Sequence, residues 1–155
     1  MVRQFFYSVF ADLYWRALMK SANPTLAAIA AKSEKESAYH VRHCSEWIVR
    51  LGDGTEESHR RAQTAIDDLW AFTGEMFAVD DSERGLIDAG IATDPASLRA
   101  SWLKTVSNVV SEATLVLPKS DWMQQGGRCG HHSEHLGHLL SELQSLPRTF
   151  PGASW

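Results

Sequence analysis

Cysteine is nearly absent. Cys44 and Cys129 are the only two, too few for the disulfide-stapled scaffold of a small secreted domain, and this points to a reducing cytoplasm. Basic residues are not in excess: the formal net charge is −4, which argues against a general grip on nucleic acid, since phosphate binding needs clustered Lys and Arg. Long apolar runs are missing too. The opening stretch VRQFFYSVFADLYWRALM is broken by Asp12 and Arg16. It is too short and too charged to span a bilayer, and no small-residue cleavage site follows it. No segment keeps the period-two alternation of a strand; Val109-Val110 and residues 114–117 continue a helical stripe instead. Gly126-Gly127 is too short a run to cradle a phosphate. No nucleophile–base–acid set stands out, and there is no repeat or low-complexity tract. Residues 1–33 contain no glutamate, an absence that bears on metal binding.

What is present reads as long helices. The chain has 155 residues, of which 44% are hydrophobic, enough for one domain with its own core. Residues 2–19 form a helix with Phe6, Val9, Phe10, Leu13 and Ala17 on its main stripe. Phe5, Tyr14 and Leu18 widen that stripe, so more than one neighbour should cover it. Asn23-Pro24 caps a second helix that runs to about Leu51 and ends at Gly52-Asp53-Gly54. Thr55 caps a third, with Glu56 and Glu57 in its first turn, and Ala62, Ile66, Leu69, Thr73 and Met76 facing inward. Residues 79–94 read as a loop with one short turn. Asp94-Pro95 opens a fourth helix carrying Leu98, Trp102, Val109, Ala113 and Val116. After the glycine-containing connection 118–130, a last helix spans about residues 131–146. Leu136, Leu139, Leu140 and Leu143 form its inner face, and Pro147 ends it. The fold class is an all-α bundle of long helices.

The second helix holds the most unusual inward positions. At about 3.6 residues per turn, Leu26, Ala30, Ser33, Ser37, His40, Cys44, Trp47 and Leu51 share one stripe. That stripe is apolar at both ends and polar in the middle. It makes Trp47 a core residue, whose truncation to alanine should cost ~3–5 kcal/mol. A buried His40 is either a hydrogen-bonded packing residue or a metal ligand. A di-iron carboxylate bundle needs Glu-x-x-His on two helices and a further Glu on each of two others. Here the pair is Ser37-x-x-His40, and a hydroxyl supplies no charge to offset iron. Glu36 lies at the edge of the stripe, with the wrong spacing. The hydrogen-bonded core histidine is therefore the favoured reading. Glu56-x-x-His59 does have the spacing, but in the first turn of a helix, where capping and dipole roles suit it better.

The densest cluster is GHHSEHLGH. His131, Glu134, His135 and His138 share a face opposite the leucines, while His132 points toward them. HHSEH fits an inverted zinc-peptidase pattern, but a third ligand is lacking downstream. Cys129 with His131 or His135 offers another zinc set. A polar face, solvated or pressed on a partner, is the simpler reading. The chain also has six tryptophans. Trp15 faces away from its helix's main stripe, and Trp122 and Trp155 sit in a loop and a tail. Aromatics so placed are enriched in interface cores, which favours an obligate partner.

Several stretches, in order, resemble a known family. LAAIAAKSEKESAYHVRH, WIVRLGDGTEES, LWAFTGEMF, GIATDP with LRASW, and GHHSEHLGHLLSELQSL ending in PGASW are similar to the C-terminal part of the C subunit of bacterial ring-1,2-phenylacetyl-CoA epoxidases (PaaC type). The resemblance implies a single, partial ferritin-like domain over residues 1–155, lacking roughly the first pair of bundle helices; their absence would explain the broad apolar face of residues 2–19. It implies a multicomponent monooxygenase in which a sister A subunit holds the di-iron centre and epoxidises phenylacetyl-CoA with O2. Electrons come from NADPH through an iron–sulfur flavoprotein reductase. The C subunit would be a structural partner with a degenerate metal site, holding no cofactor of its own and binding neither nucleic acid nor membrane. The sister's ligand glutamate falls on Ser37 and its histidine on His40. His132, Glu134, His135 and Gly137 fit the family's C-terminal motif, whereas His131 and His138 depart from it. That motif is assigned to packing or partner contact, along with Trp15 and Trp122. The competing expectations are a catalytic di-iron oxygenase subunit with ligands on other helices, and a helical metal- or partner-binding module.

Overall fold

Val2–Leu18 (α1) is a helix whose broad apolar surface packs against three others. These are α2 (Pro24–Gly52), α3 (Glu56–Trp70) and, after the short α4 (Asp81–Asp88), α5 (Arg99–Glu112). The structure is a computed structural model and describes residues 1–154; Trp155, counted above among the aromatics, lies outside the described residues. The chain divides into two compact units, residues 1–124 and 125–155, and each is described in its own right. No strand occurs among the described residues. The all-α architecture agrees with a ferritin-like helical bundle.

The caps are where the residue chemistry places them. The Asn23 side-chain oxygen accepts from the N–H groups of Thr25 and Leu26 at 3.0 and 3.2 Å, with Pro24 in the first turn, where its missing N–H costs nothing. Thr55 and Ser58 form a reciprocal capping box on α3. The helix α2 stops at Gly52-Asp53 as expected, but not because a left-handed residue is needed: its C-cap is Asp53 at φ −92°. Gly52 is required for a different reason. A Cβ at that position would collide with the Ala113 carbonyl oxygen, so glycine lets the ends of α2 and α5 cross in contact.

The core is aromatic. Phe6 of α1 lies 5.8 Å from Trp102 and 6.0 Å from Trp70, and Trp102 is also 5.3 Å from Phe77. Trp70 and Trp102 stack at 5.8 Å. The Trp102 indole N–H donates to the Phe6 carbonyl at 2.9 Å, which satisfies a buried donor and locks α5 to α1.

Four segments depart from the sequence reading. First, α3 ends at Trp70, not near Phe77. The Thr73 hydroxyl donates to the Trp70 carbonyl at 2.8 Å, and the Gln124 N–H reaches the Ala71 carbonyl at 2.8 Å. With the end carbonyls thus satisfied, the chain continues as a 3-10 turn, Gly74–Phe77. Second, the stretch read as a loop holds α4, capped by an Asp80–Glu83 box. Third, a 3-10 turn (Pro95–Leu98) precedes α5, and α5 stops at Glu112. Thr114 then adopts φ 59°, an uncommon choice for a β-branched residue. This reverses the chain and leaves Val116 exposed, with Val106 and Val110 as the buried valines of α5.

The fourth departure is the second unit. The last helix does not span residues 131–146. It is α6 (Glu134–Leu143) followed by α7 (Ser145–Thr149), and Pro147 lies inside the latter. Gly126 and Gly130 are both left-handed, and the His131 N–H bonds back to the Gly126 carbonyl at 2.8 Å. That turn holds residues 131–133 out of the helix. Leu139, Leu140 and Leu143 are exposed, and neither helix has a buried residue. The leucine stripe is therefore not an inner face within this unit. Two helices this short enclose no interior of their own.

Candidate functional site

The inner face of α2 is narrower and rotated from the expected one. Ala30, Ser37, Cys44 and Ile48 are buried, and Val41 packs beside them. Ser37 is 8% exposed, so the polar position inside the helix is real. His40 is not inside: its side chain is 40% exposed, and its Nε2 stands 3.8 Å from Glu36 Oε1, itself 79% exposed. Trp47 is 39% exposed and is not a core residue. The row 30–37–44 is correct, but its companion row is 34–41–48 rather than 33–40–47.

Opposite this face, α1 presents polar groups every four residues: Gln4, Ser8, Asp12 and Arg16. Gln4 donates to the buried Ser8 hydroxyl at 3.1 Å. Burial pushes the Cys44 thiol up, offset in part by the N-terminal amine and by a hydrogen bond with Ser8. Arg16 ties the two helices together: its Nε lies 2.9 Å from Asp12 Oδ2 and its Nη2 3.2 Å from Glu34 Oε1. The other Asp12 oxygen is buried without a hydrogen-bond partner. Burial raises the Asp12 pKa against the pull of Arg16. This seam was not singled out from the sequence. Its signal was there to read: four polar residues at four-residue spacing on an otherwise apolar helix fall on one side.

The residues present do not fit a di-iron group. Two irons held in a bundle need several inward carboxylates. Ser37 offers only a hydroxyl, His40 turns to a surface glutamate, and the seam's carboxylates, Asp12 and Glu34, are both engaged by Arg16. Among the described residues, no three His, Cys, Asp or Glu side chains gather as metal ligands.

His59, of the Glu56-x-x-His59 pair, is used structurally. Its Nδ1 is 2.7 Å from the Gly52 carbonyl oxygen, which the Thr114 hydroxyl approaches at 3.4 Å. Both satisfy the C-terminal end of α2. The His131, His132, Glu134, His135 and His138 side chains are all exposed on the second unit. His132, expected to point toward a leucine core, has none to point into. Trp15 is half-buried, edge-on to Tyr14 at 5.7 Å, and Trp122 is exposed.

A helical bundle of ferritin-like class, with a buried polar seam between its first two helices, defines the kind of protein this is. The family model of phenylacetic acid catabolic proteins matches residues 1–155, and the chain belongs to that family. It is 44% identical over 153 residues to the C subunit of the 1,2-phenylacetyl-CoA epoxidase of Escherichia coli (strain K12). The alignment covers 99% of this chain and 62% of that relative. The chain thus spans less than two thirds of the length of the curated relative it matches. No described helix is long and apolar enough to cross a membrane.

Proposed function

We propose that this chain is a structural, non-catalytic subunit of a phenylacetyl-CoA epoxidase in phenylacetate catabolism. It pairs with a di-iron catalytic subunit of the A type and stabilises it. It belongs to a cytoplasmic hetero-oligomer, forms a partial ferritin-like domain, and leaves the iron to its partner. One observation carries the reading: Ser37, which the resemblance sets in the place of a ligand glutamate, is a buried hydroxyl, in a chain so similar to an epoxidase C subunit. The seam between α1 and α2 supports it, because its two carboxylates, Asp12 and Glu34, are both engaged by Arg16. Exposed His132, Glu134, His135 and Trp122 are assigned to partner contact, and half-buried Trp15 to packing. The test is co-expression with the catalytic subunit followed by size-exclusion chromatography and activity assay. The two chains should co-elute, and the His40→Ala variant should co-elute and turn over like the wild type. Independent elution, or loss of turnover in an intact His40→Ala complex, contradicts the reading.

A further inference from the structure

The outward face of α2 carries an aromatic ladder that the core does not use. Tyr39, His43 and Trp47 follow one another at four-residue steps. The Tyr39 and His43 rings stack at 5.9 Å, and His43 meets Trp47 edge-on at 6.4 Å. Tyr39 is 52% exposed. Two guanidiniums lie against this ladder, Arg42 over Tyr39 and Arg50 over Trp47, each 5.6 Å from the ring centroid. Among the described residues, neither arginine belongs to an ion pair. Tryptophan, tyrosine and arginine are the residues that dominate binding energy at protein interfaces. Here the rings hold the guanidiniums in place before any partner arrives, which lowers the ordering cost of binding.

We infer that this ladder is the docking surface for an acidic helix of the catalytic partner subunit. The inference rests on the subunit reading above and adds which surface meets the partner and with what chemistry. Charge complementarity selects the occupant. The chain as a whole is acidic, with a net charge of −4, yet this face offers two guanidiniums outside any ion pair, with the single carboxylate of Glu46 between them. Arg42 and Arg50 are eight residues apart, about 12 Å along the helix axis. A fitting partner helix presents carboxylates at that two-turn spacing, with an apolar side chain between them to cover Trp47.

The experiment measures the affinity of the full chain for the catalytic subunit at several salt concentrations. It compares the wild type with Trp47→Ala, the double variant Arg42→Glu/Arg50→Glu, and Arg84→Glu as a charge control elsewhere. Circular dichroism and melting temperature confirm that each variant folds. Trp47→Ala should weaken binding by at least about tenfold, and the double variant by about a hundredfold with a flatter salt dependence. Arg84→Glu should bind like the wild type. A wild-type complex that both ladder variants reproduce within about twofold overturns this inference alone. Absence of a wild-type complex overturns the subunit reading and this inference with it. A change confined to self-association of the chain assigns the face to a second copy and also overturns it.

Discussion

Trp47 and Ile48 are neighbours in the chain, yet Trp47 is 39% exposed and Ile48 is wholly buried. The two faces of α2 differ as sharply as those two residues. Inside, the helix offers small groups, Ala30, Ser37 and Cys44, so that α1 can approach closely along its own Ser8 and Ala11. Outside, it carries rings and unpaired guanidiniums. The bulkier apolar surface is on the wet side. A side chain's size is therefore a poor guide to its direction on a helix that must pack tightly on one face and present a binding surface on the other.

Variants along α2 and its neighbours test that contrast. The largest effect should come from Ile48→Ala, which removes a fully buried side chain and leaves a cavity. A loss of ~2–5 kcal/mol is expected by chemical denaturation, and a loss below about 1 kcal/mol would show the inner row is misplaced. Gly52→Ala forces the ends of α2 and α5 apart, since the new Cβ meets the Ala113 backbone. Its expected cost is ~1–3 kcal/mol. A neutral result would mean that the crossing relaxes freely.

Asp12 gives a pH signature. Its folded-state pKa is raised by burial above the usual 3.8. The charged form is thus disfavoured in the fold. The penalty is absent well below the unfolded pKa and grows as pH rises through the window above it. Asp12→Asn should therefore melt higher, relative to wild type, at about pH 6 than at about pH 3.5. The opposite trend would place the Arg16 pair above burial as the controlling effect. The smallest change belongs to Trp47→Ala, which loses only a half-exposed ring and its contact with Arg50, about 1 kcal/mol or less. A cost near that of Ile48→Ala would erase the distinction between the faces.

Much of the bundle was readable from the residues. The long helices, the Asn23 and Thr55 caps, the core role of Trp102 and the buried Ser37 follow from periodicity and capping chemistry. The phase of α2 did not. Rows 33–40–47 and 34–41–48 both accompany 30–37–44 at helical spacing, and the size of Trp47 favoured the wrong one. Val41 and Ile48, apolar and β-branched, marked the right one. The sequence signal of α4 is the Asp80-x-x-Glu83 capping box, set in an acidic, polar stretch that otherwise reads as loop. The seam from Gln4 to Arg16 is a weaker signal, because the broad apolar stripe of α1 dominates that helix's periodicity. The leucines of α6 show the limit of periodicity. It identifies an amphipathic helix but says nothing about what, if anything, covers it.

The central proposal is that α2 has the form of a di-iron ligand helix without the charge to hold iron. Metal analysis of the purified chain after anaerobic iron loading measures this directly. The account predicts iron far below one per chain, unchanged in His40→Ala. A di-iron stoichiometry lost on His40→Ala or Glu36→Ala would contradict it.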